Sequence, residues 1–537
     1  MQVDPDTLPA EQRLGLASAP RAMWGTAAAR RIGRRLAGIE GLRADCVAAL
    51  AGALGALALP PWHILPALPV ALAVLLVQLD AATAGWRGVR RAARRGYWFG
   101  VGYFALGLYW ITDAILARVA TFWWLVPFAV PLTALGLGIF IAVPVGLARP
   151  IPRGLPRVLG FAALITGGEL ARGFVLTGFP WNLFGSVWEL PGQLGTVFIQ
   201  PAAWVGIYGL TLATVLLAGL FTLGRRGLVA ACALLALWAG AGAARLQAPA
   251  PLPRPLRVAL IQGNIPVTMN FDQATALRTF EIYLRLTHRA VAAAGGHPVA
   301  VVWPEAASPY LLARDGAARA AIARAAGPGV PVLAGSIRFD RAGKPRNSMI
   351  VVDGPGPPAA IYDKWHLVPF GEYQPAWFPL PIQVVPGGGF SAGPGPRTLH
   401  VAGLLPFDPL ICYEVIFSGE ILAKPRPDWM VNITDDAWFG NTAGPRQHLA
   451  AARLRAVEEG LPLLRAAETG ISAAFTARGR QISRLGWGRR GFLLVRLPGA
   501  LPPTLYARYG LLIPVLLSIL ALVASGVAGL AARLRKS

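Results

Sequence analysis

The chain has 537 residues, 55% of them hydrophobic, with a mean hydropathy of +0.51, and that composition excludes an ordinary soluble domain. Its formal net charge of +24 would fit a nucleic-acid binder, but much of the excess falls in short loops between apolar runs. Membrane topology and anionic headgroups account for it without nucleic acid.

The N-terminal segment, residues 1–41, is rich in Ala and Arg and lacks a cleavage site followed by a soluble domain. It reads as a cytoplasmic tail or an interfacial helix rather than a cleaved signal peptide. Apolar runs then predict seven membrane helices within 42–247, near Leu42–Leu59, Trp62–Leu79, Trp98–Leu116, Phe122–Leu147, Val158–Leu176, Phe198–Phe221 and Leu228–Ala244. An eighth runs from Tyr509 to Leu530, within a C-terminal segment 506–537. The weakest of these signals are Leu228–Ala244, at the short limit for a span, and Val158–Leu176, which carries Glu169 and Arg172. Arginine clusters at Arg30 to Arg35, Arg87 to Arg95, Arg149 to Arg157 and Arg225 to Arg226, with Arg533 to Lys536, fall in alternate loops, which predicts a cytoplasmic location for all of them. Residues 248–505 form the outward globular domain, in which strand-like and helical runs alternate with polar turns.

Trp181 and Trp188, on the outward connection between spans five and six, are expected as interface anchors and as candidates for lipid entry. Cys46 and Cys232 fall within spans, where a small buried hydrophobe is the simplest reading. Cys412 is then a free thiol in a compartment that permits disulfides, and an outward-facing thiol is a liability unless protected or used.

Three apolar runs each end on a reactive side chain: VAVVWPE on Glu305, AAIYDK on Lys364, and LLPFDPLI on Cys412. The ends of buried strands are where open sheets place chemistry. A thiol nucleophile, a partly buried carboxylate base and an ammonium that stabilises thiolate and oxyanion together make an acyl-transfer site. A structural salt bridge is the alternative for Glu305 and Lys364, and an inert buried thiol is the alternative for Cys412. The loop from Tyr373 to Leu380 carries Trp377 and Phe378 between prolines and precedes Gly387 to Gly389. An aromatic tip of this kind can dip into a bilayer and admit lipid, or else pack on its own domain. The six histidines show no metal-ligand spacing, so neither a metal nor another cofactor is expected.

These motifs resemble the Glu-Lys-Cys triad of the nitrilase, or carbon-nitrogen hydrolase, superfamily, whose fold is an α/β sandwich. QGNIP from Gln262, WPE, YDKWHLVPFGEY from Tyr362, ICYE from Ile411, NITDDAWFG from Asn432 and GPRQHLAAARLRAVEEG from Gly444 all look like family signatures. With seven spans before the domain and one after, the whole is similar to the apolipoprotein N-acyltransferase family. The fold expected is therefore a polytopic helical membrane domain carrying a periplasmic nitrilase-like domain, in the bacterial inner membrane. By the resemblance Glu305 is the general base, Lys364 the transition-state donor and Cys412 the acylated nucleophile. Glu372 assists, and Tyr413 and Glu414 support the nucleophile. Asp435 and Glu468 depart from the pattern, since asparagine is common at both positions.

The resemblance implies a monomeric enzyme that moves an acyl chain, the sn-1 chain of phosphatidylethanolamine, through a thioester to the α-amine of a diacylglyceryl-cysteine apolipoprotein. One rival is a membrane-tethered amidase or nitrilase, for which a single span would suffice. The other is a transporter or receptor whose outward domain only binds, which has no need of a thiol beside a base.

Overall fold

The computed structural model describes residues 27–117, 119–266, 272–376 and 389–534. Among them, five helices are long and apolar enough to cross a membrane: Ala120–Ala148, Leu155–Thr177, Ala202–Phe221, Gly224–Gln247 and Leu512–Leu534. Ala67–Ala81 is a shorter apolar helix, and Gly41–Ala56 packs beside it. Large apolar side chains such as Leu516, Leu520, Val523 and Val527 point outward from the last helix, as a lipid-facing surface requires.

The segment expected to be an arginine loop is instead the first half of a helix, Gly85–Gly107, which continues into the third apolar run. Arg94 and Arg95 pair with Asp45 of the neighbouring helix, so charge is neutralised where it enters the bundle. The two helices approach through glycines. A Cβ on Gly52 would lie 1.9 Å from the Phe99 carbonyl oxygen, and one on Gly102 would lie 1.8 Å from that of Ala49. Small residues are what let membrane helices pack this closely.

The arginine-bearing ends lie together. Arg157 pairs with Asp80, and Arg149 donates to the Ala82 carbonyl. The opposite helix ends meet the α/β domain: Trp110, Trp181 and Pro60 converge on Gln447, and the Ile207 amide donates to Glu458 at 2.7 Å. Arginine clusters and domain therefore sit at opposite ends of the helices.

The domain is two sheets face to face. The first has the order β11-β1-β2-β3-β4-β5, with β1 (Arg257–Gln262), β2 (Val299–Val302) and β3 (Val332–Phe339) parallel, and β4 (Pro345–Val352), β5 (Ala360–Asp363) and β11 (Gly491–Arg496) antiparallel to their neighbours. The second has the order β10-β9-β8-β7-β6, with β6 (Phe407–Ile411), β7 (Trp429–Thr434) and β8 (Leu463–Ala467) parallel, followed by β9 (Ser472–Phe475) and β10 (Gln481–Leu485). The strands of the parallel ladders are buried on both faces, hence their unbroken apolar runs. Val258, Val302 and Met349 of one sheet pack on Ile411, Val431 and Ala466 of the other.

Two helices cover the first sheet. Gln273–Ala293 is capped by the Asp272 side chain on the Thr275 amide at 2.7 Å, and Gly316–Ala326 by Asp315 on the Ala318 amide at 2.8 Å. A third helix, Gly444–Glu459, covers the second sheet; it has Pro445 in its first turn and ends at Gly460 in the left-handed conformation. This helix is buried on both sides, because the membrane region packs on its outer face.

Two sequence expectations change. Cys46 and Cys232 are exposed on the outer surface of the helices rather than buried. Trp181 and Trp188, expected as interface anchors, are buried at 4% and 5% exposure. Trp181 packs against Trp110, Phe439 and His448, and the Trp188 indole donates to Thr214 while packing on Trp238. Each has a polar partner for its N–H within the protein, so neither needs the wet interface.

Candidate active site

The C-terminal ends of β2, β5, β6 and β7 meet at one place. Past β2, Ala306 takes φ +49°, which turns Glu305 into the domain. The Glu305 backbone lies against β3 so closely that a Cβ on Gly335 would fall 2.1 Å from the Pro304 carbonyl oxygen. Glycine is required there by close approach. One Glu305 oxygen accepts from the Asn347 amide at 2.7 Å and from the Lys364 ammonium at 3.2 Å. The other accepts the Asp435 backbone N–H at 2.8 Å.

Lys364 follows β5 and is 1% exposed. Its Nζ bonds Glu372 at 2.9 Å as well as Glu305, and Asn347 bridges the same two carboxylates, at 3.1 Å from Glu372. Burial opposes its charge, but Glu305, Glu372 and Cys412 more than offset that and hold the ammonium well above its ordinary range. It is a fixed positive charge at any working pH.

Cys412 follows β6 with φ +51°, an uncommon conformation for a residue with a side chain, and is buried. Burial raises its thiol well above the ordinary range, Glu305 raises it further, and Lys364 acts in the opposite direction. Burial thus favours the neutral thiol over the thiolate. The Cys412 carbonyl accepts from His448 Nε2 at 3.0 Å. His448 Nδ1 lies 2.8 Å from Asp436, which Arg465 also bonds at 2.6 Å. Burial would raise the Asp436 carboxyl, but Arg465 and His448 hold it well below the usual carboxylate range.

Glu414 ties the Cys412 turn to the Lys364 strand. It accepts from the Ile411 amide at 2.6 Å, the Trp365 amide at 2.7 Å and the Tyr362 hydroxyl at 3.0 Å. Burial pushes it up to about 7. The Tyr413 hydroxyl donates to the Gly178 carbonyl at 3.0 Å, which anchors the turn to the strap after the helix Leu155–Phe174. On the same strap, Thr177 bonds His366 at 2.8 Å and Tyr373 at 3.0 Å.

Six of the predicted residues, Glu305, Lys364, Glu372, Cys412, Tyr413 and Glu414, are thus in one cluster. Trp181 is linked to it through His448 and through Phe179, which stacks on Tyr413, and Trp188 lies apart among the helices. Trp377 and Phe378 lie outside the described residues. Sequence reasoning missed Asn347, which stands between Arg346 and Ser348 in the polar half of β4 and gives no signal of its own, and the Asp436–Arg465–His448 network. Asp435 caps the turn after β7 and is raised well above the carboxylate range by burial, Glu468 and Glu305. Glu468 accepts from Tyr283 and from the Ile265 amide at 2.9 Å, and burial pushes it up to about 7.

Comparison with known proteins bears on this geometry. A model of the apolipoprotein N-acyltransferase N-terminal domain matches residues 51–220, and a carbon-nitrogen hydrolase model matches residues 257–501. An apolipoprotein N-acyltransferase of Rhodopseudomonas palustris is 39% identical over 88% of this chain and 92% of its own. That of Bradyrhizobium diazoefficiens is 40% identical over the same shares, and that of Caulobacter vibrioides 38% identical over 86% and 91%. The chain belongs to the apolipoprotein N-acyltransferase family. In this family member the hydrolase match covers both sheets, and the N-terminal match covers the helices that seat the domain.

Proposed function

We propose that this protein transfers an acyl chain, the sn-1 chain of a phospholipid such as phosphatidylethanolamine, to the N-terminal amine of diacylglyceryl-cysteine apolipoproteins. The observation that carries the reading is the meeting of Glu305, Lys364 and Cys412 at strand ends in a chain similar to apolipoprotein N-acyltransferases over 88% of its length. Glu305 takes the Cys412 proton as sulfur attacks the ester carbonyl. Lys364 stabilises the oxyanion, the C–O bond breaks, and Glu305 returns the proton to the glycerol oxygen. The α-amine of the apolipoprotein then attacks the thioester, gives its proton through Glu305, and leaves with the chain as an amide while Cys412 regains its thiol. Glu372 and Asn347 fix the distance between base and ammonium.

Placement supports the choice of substrates. Both are held in the bilayer by about 0.8 kcal/mol per buried methylene, so a site beside the helix ends reaches what a detached enzyme would not. In this reading residues 42–247 and 506–537 supply eight helices that traverse the bacterial inner membrane, and residues 248–505 lie in the periplasm as a monomer.

The test supplies phospholipid with a diacylglyceryl-cysteine peptide and follows N-acylated peptide, free fatty acid and the enzyme's mass. A thioester on Cys412, absent from Cys412→Ser and slowed about 10²-fold or more in Glu305→Gln, and acylated peptide as the main product are expected. Predominant fatty acid at saturating peptide would instead make the protein a membrane hydrolase.

A further inference from the structure

A second cavity, of about 490 Å³, opens between the membrane region and the domain. It shares no residue with the Glu305–Lys364–Cys412 cluster. Its walls are the Pro60–Pro61 turn, the segment from Glu189 to Gln193, one face of the helix Gly444–Glu459 and the β9–β10 hairpin. Four arginines line it, Arg446, Arg453, Arg480 and Arg484, together with His63.

The charges there are not balanced. Among the described residues Glu189 is the only carboxylate in the lining, and it is already bonded to Arg453 at 3.2 Å. Arg453 is further occupied by the Leu190 and Gly479 carbonyls and Thr196. Arg446 bonds Asn441 and the Thr442 carbonyl. Among the described residues the Arg480 and Arg484 side chains have no hydrogen bond or ion pair, and both are exposed. The neighbours oppose one another: burial and then Arg446 lower Arg484, and burial and then Arg453 lower His63. Gathering like charges around a concavity costs free energy that an anion in the cavity would return. Glu189 adds a second irregularity, since its Oε1 is buried with no partner, and burial pushes the group up to about 7.

We propose that this cleft binds a phosphate-bearing anion, and that the phosphate is that of a phospholipid headgroup. Guanidinium groups match phosphate oxygens in geometry and charge. The cleft lies at the domain-facing ends of the apolar helices, the level at which a bilayer places its headgroups. Leu194, next to Gln193 of the lining, is 59% exposed. This is binding apart from the acyl-transfer centre, and it does not depend on the reaction assigned there.

The test uses the detergent-solubilised full chain carrying Cys412→Ala, so that binding is read without turnover. Thermal stability is titrated with dihexanoyl phosphatidylglycerol, inorganic phosphate or dihexanoylglycerol, since a ligand of the folded state raises the apparent Tm. A saturable rise is expected with the phosphatidylglycerol alone, with a midpoint concentration at least tenfold higher once R480E and R484E are introduced at these exposed sites. An equal rise with inorganic phosphate would overturn the lipid assignment. A rise with dihexanoylglycerol of the same size, no saturable rise, or a titration unchanged in the double variant would overturn the site.

Discussion

The turn that carries Cys412 is held by its backbone as much as by its side chain. A carbonyl can only accept, so His448 Nε2 carries a proton and donates it to the Cys412 oxygen, pinning a residue whose φ of +51° costs energy. A buried hydrogen bond left unmade costs about 1–3 kcal/mol, which is roughly 10- to 100-fold in rate if the loss falls on the reactive geometry. His448→Ala should therefore slow acylation of Cys412 by at least about tenfold with little change in phospholipid KM, and His448→Gln, whose amide can donate to the same carbonyl, should recover part of the loss. Equal loss in both variants, or a loss confined to Tm, would mean that His448 only fills space. Glu468 gives a second prediction, about pH. Its folded value of about 7 lies above the ordinary 4.5, so the folded state holds a proton that the unfolded state has released. Its contribution is fully present below 4.5 and is lost as pH rises to 7, by up to about 3 kcal/mol. Glu468→Gln keeps the shape without the charge, so the gain in Tm over the parent should grow between pH 5 and pH 8. A Tm difference that is flat or shrinks across that range would show that Glu468 carries no buried charge.

Among the elements, the helix Gly85–Gly107 is the one whose position depends most on small residues. With the Gly102 Cα against the Ala49 backbone, a larger side chain must push the helix off its neighbour. Gly102→Leu should cost about 1–3 kcal/mol, the scale of overpacking a filled contact, and lower the apparent Tm in detergent, whereas Gly136→Leu, where nothing lies within 4 Å of the added carbon, should be tolerated. Equal Tm loss in the two would remove the close contact as the reason. The start of this helix was hidden in the sequence because Arg87 to Arg95 suppress the apolar signal, although Asp45 neutralises two of them. The strand ends were legible for the opposite reason: the runs before Glu305 and Cys412 are local and buried on both faces, and the one before Lys364, though only partly buried, is a short local strand. What could not be read was partnership at a distance. Asn347 gains its meaning from Glu305 and Glu372, and Trp181 is buried because Gln447, far along the chain, accepts its N–H. Cys232 sits in a helix long and apolar enough to cross a membrane and Cys46 in the shorter helix Gly41–Ala56, but which face they occupy is decided by neighbours that the hydropathy pattern does not name.

At the scale of the molecule, arginine clusters at one end of the helices and the domain at the other lead to a single orientation. In protein freed of the exposed thiols by Cys46→Ala and Cys232→Ala, Arg91→Cys should react with an impermeant reagent only from the cytoplasmic side and Arg341→Cys only from the periplasmic side. Labelling of both from one side would require a helix that does not cross. The junction between the two parts leads further. The helix Gly444–Glu459 reaches the domain through His448, bonded to Cys412 and Asp436, and the membrane region through Gln447, Arg453 and Glu458. Gln447 accepts from the indoles of Trp110 and Trp181 at 3.0 and 2.9 Å and donates to the Pro60 and Gly107 carbonyls, so the partners of one side-chain amide come from three separate stretches of the membrane region. Glu458, buried, has the Ile207 amide and Ser418 as partners and Arg455 beside it. Without the membrane region Gln447 loses all four of these partners and Glu458 loses the Ile207 amide, and the apolar face that packs on Trp181 becomes solvent-exposed. Residues 251–504 expressed alone should therefore fail to give a monodisperse monomer in the absence of detergent, and co-expression with residues 27–250 and 505–537 in a membrane should rescue them. A soluble monomer of 251–504 with a cooperative melting transition would show instead that the domain is self-sufficient and that the helices only tether it.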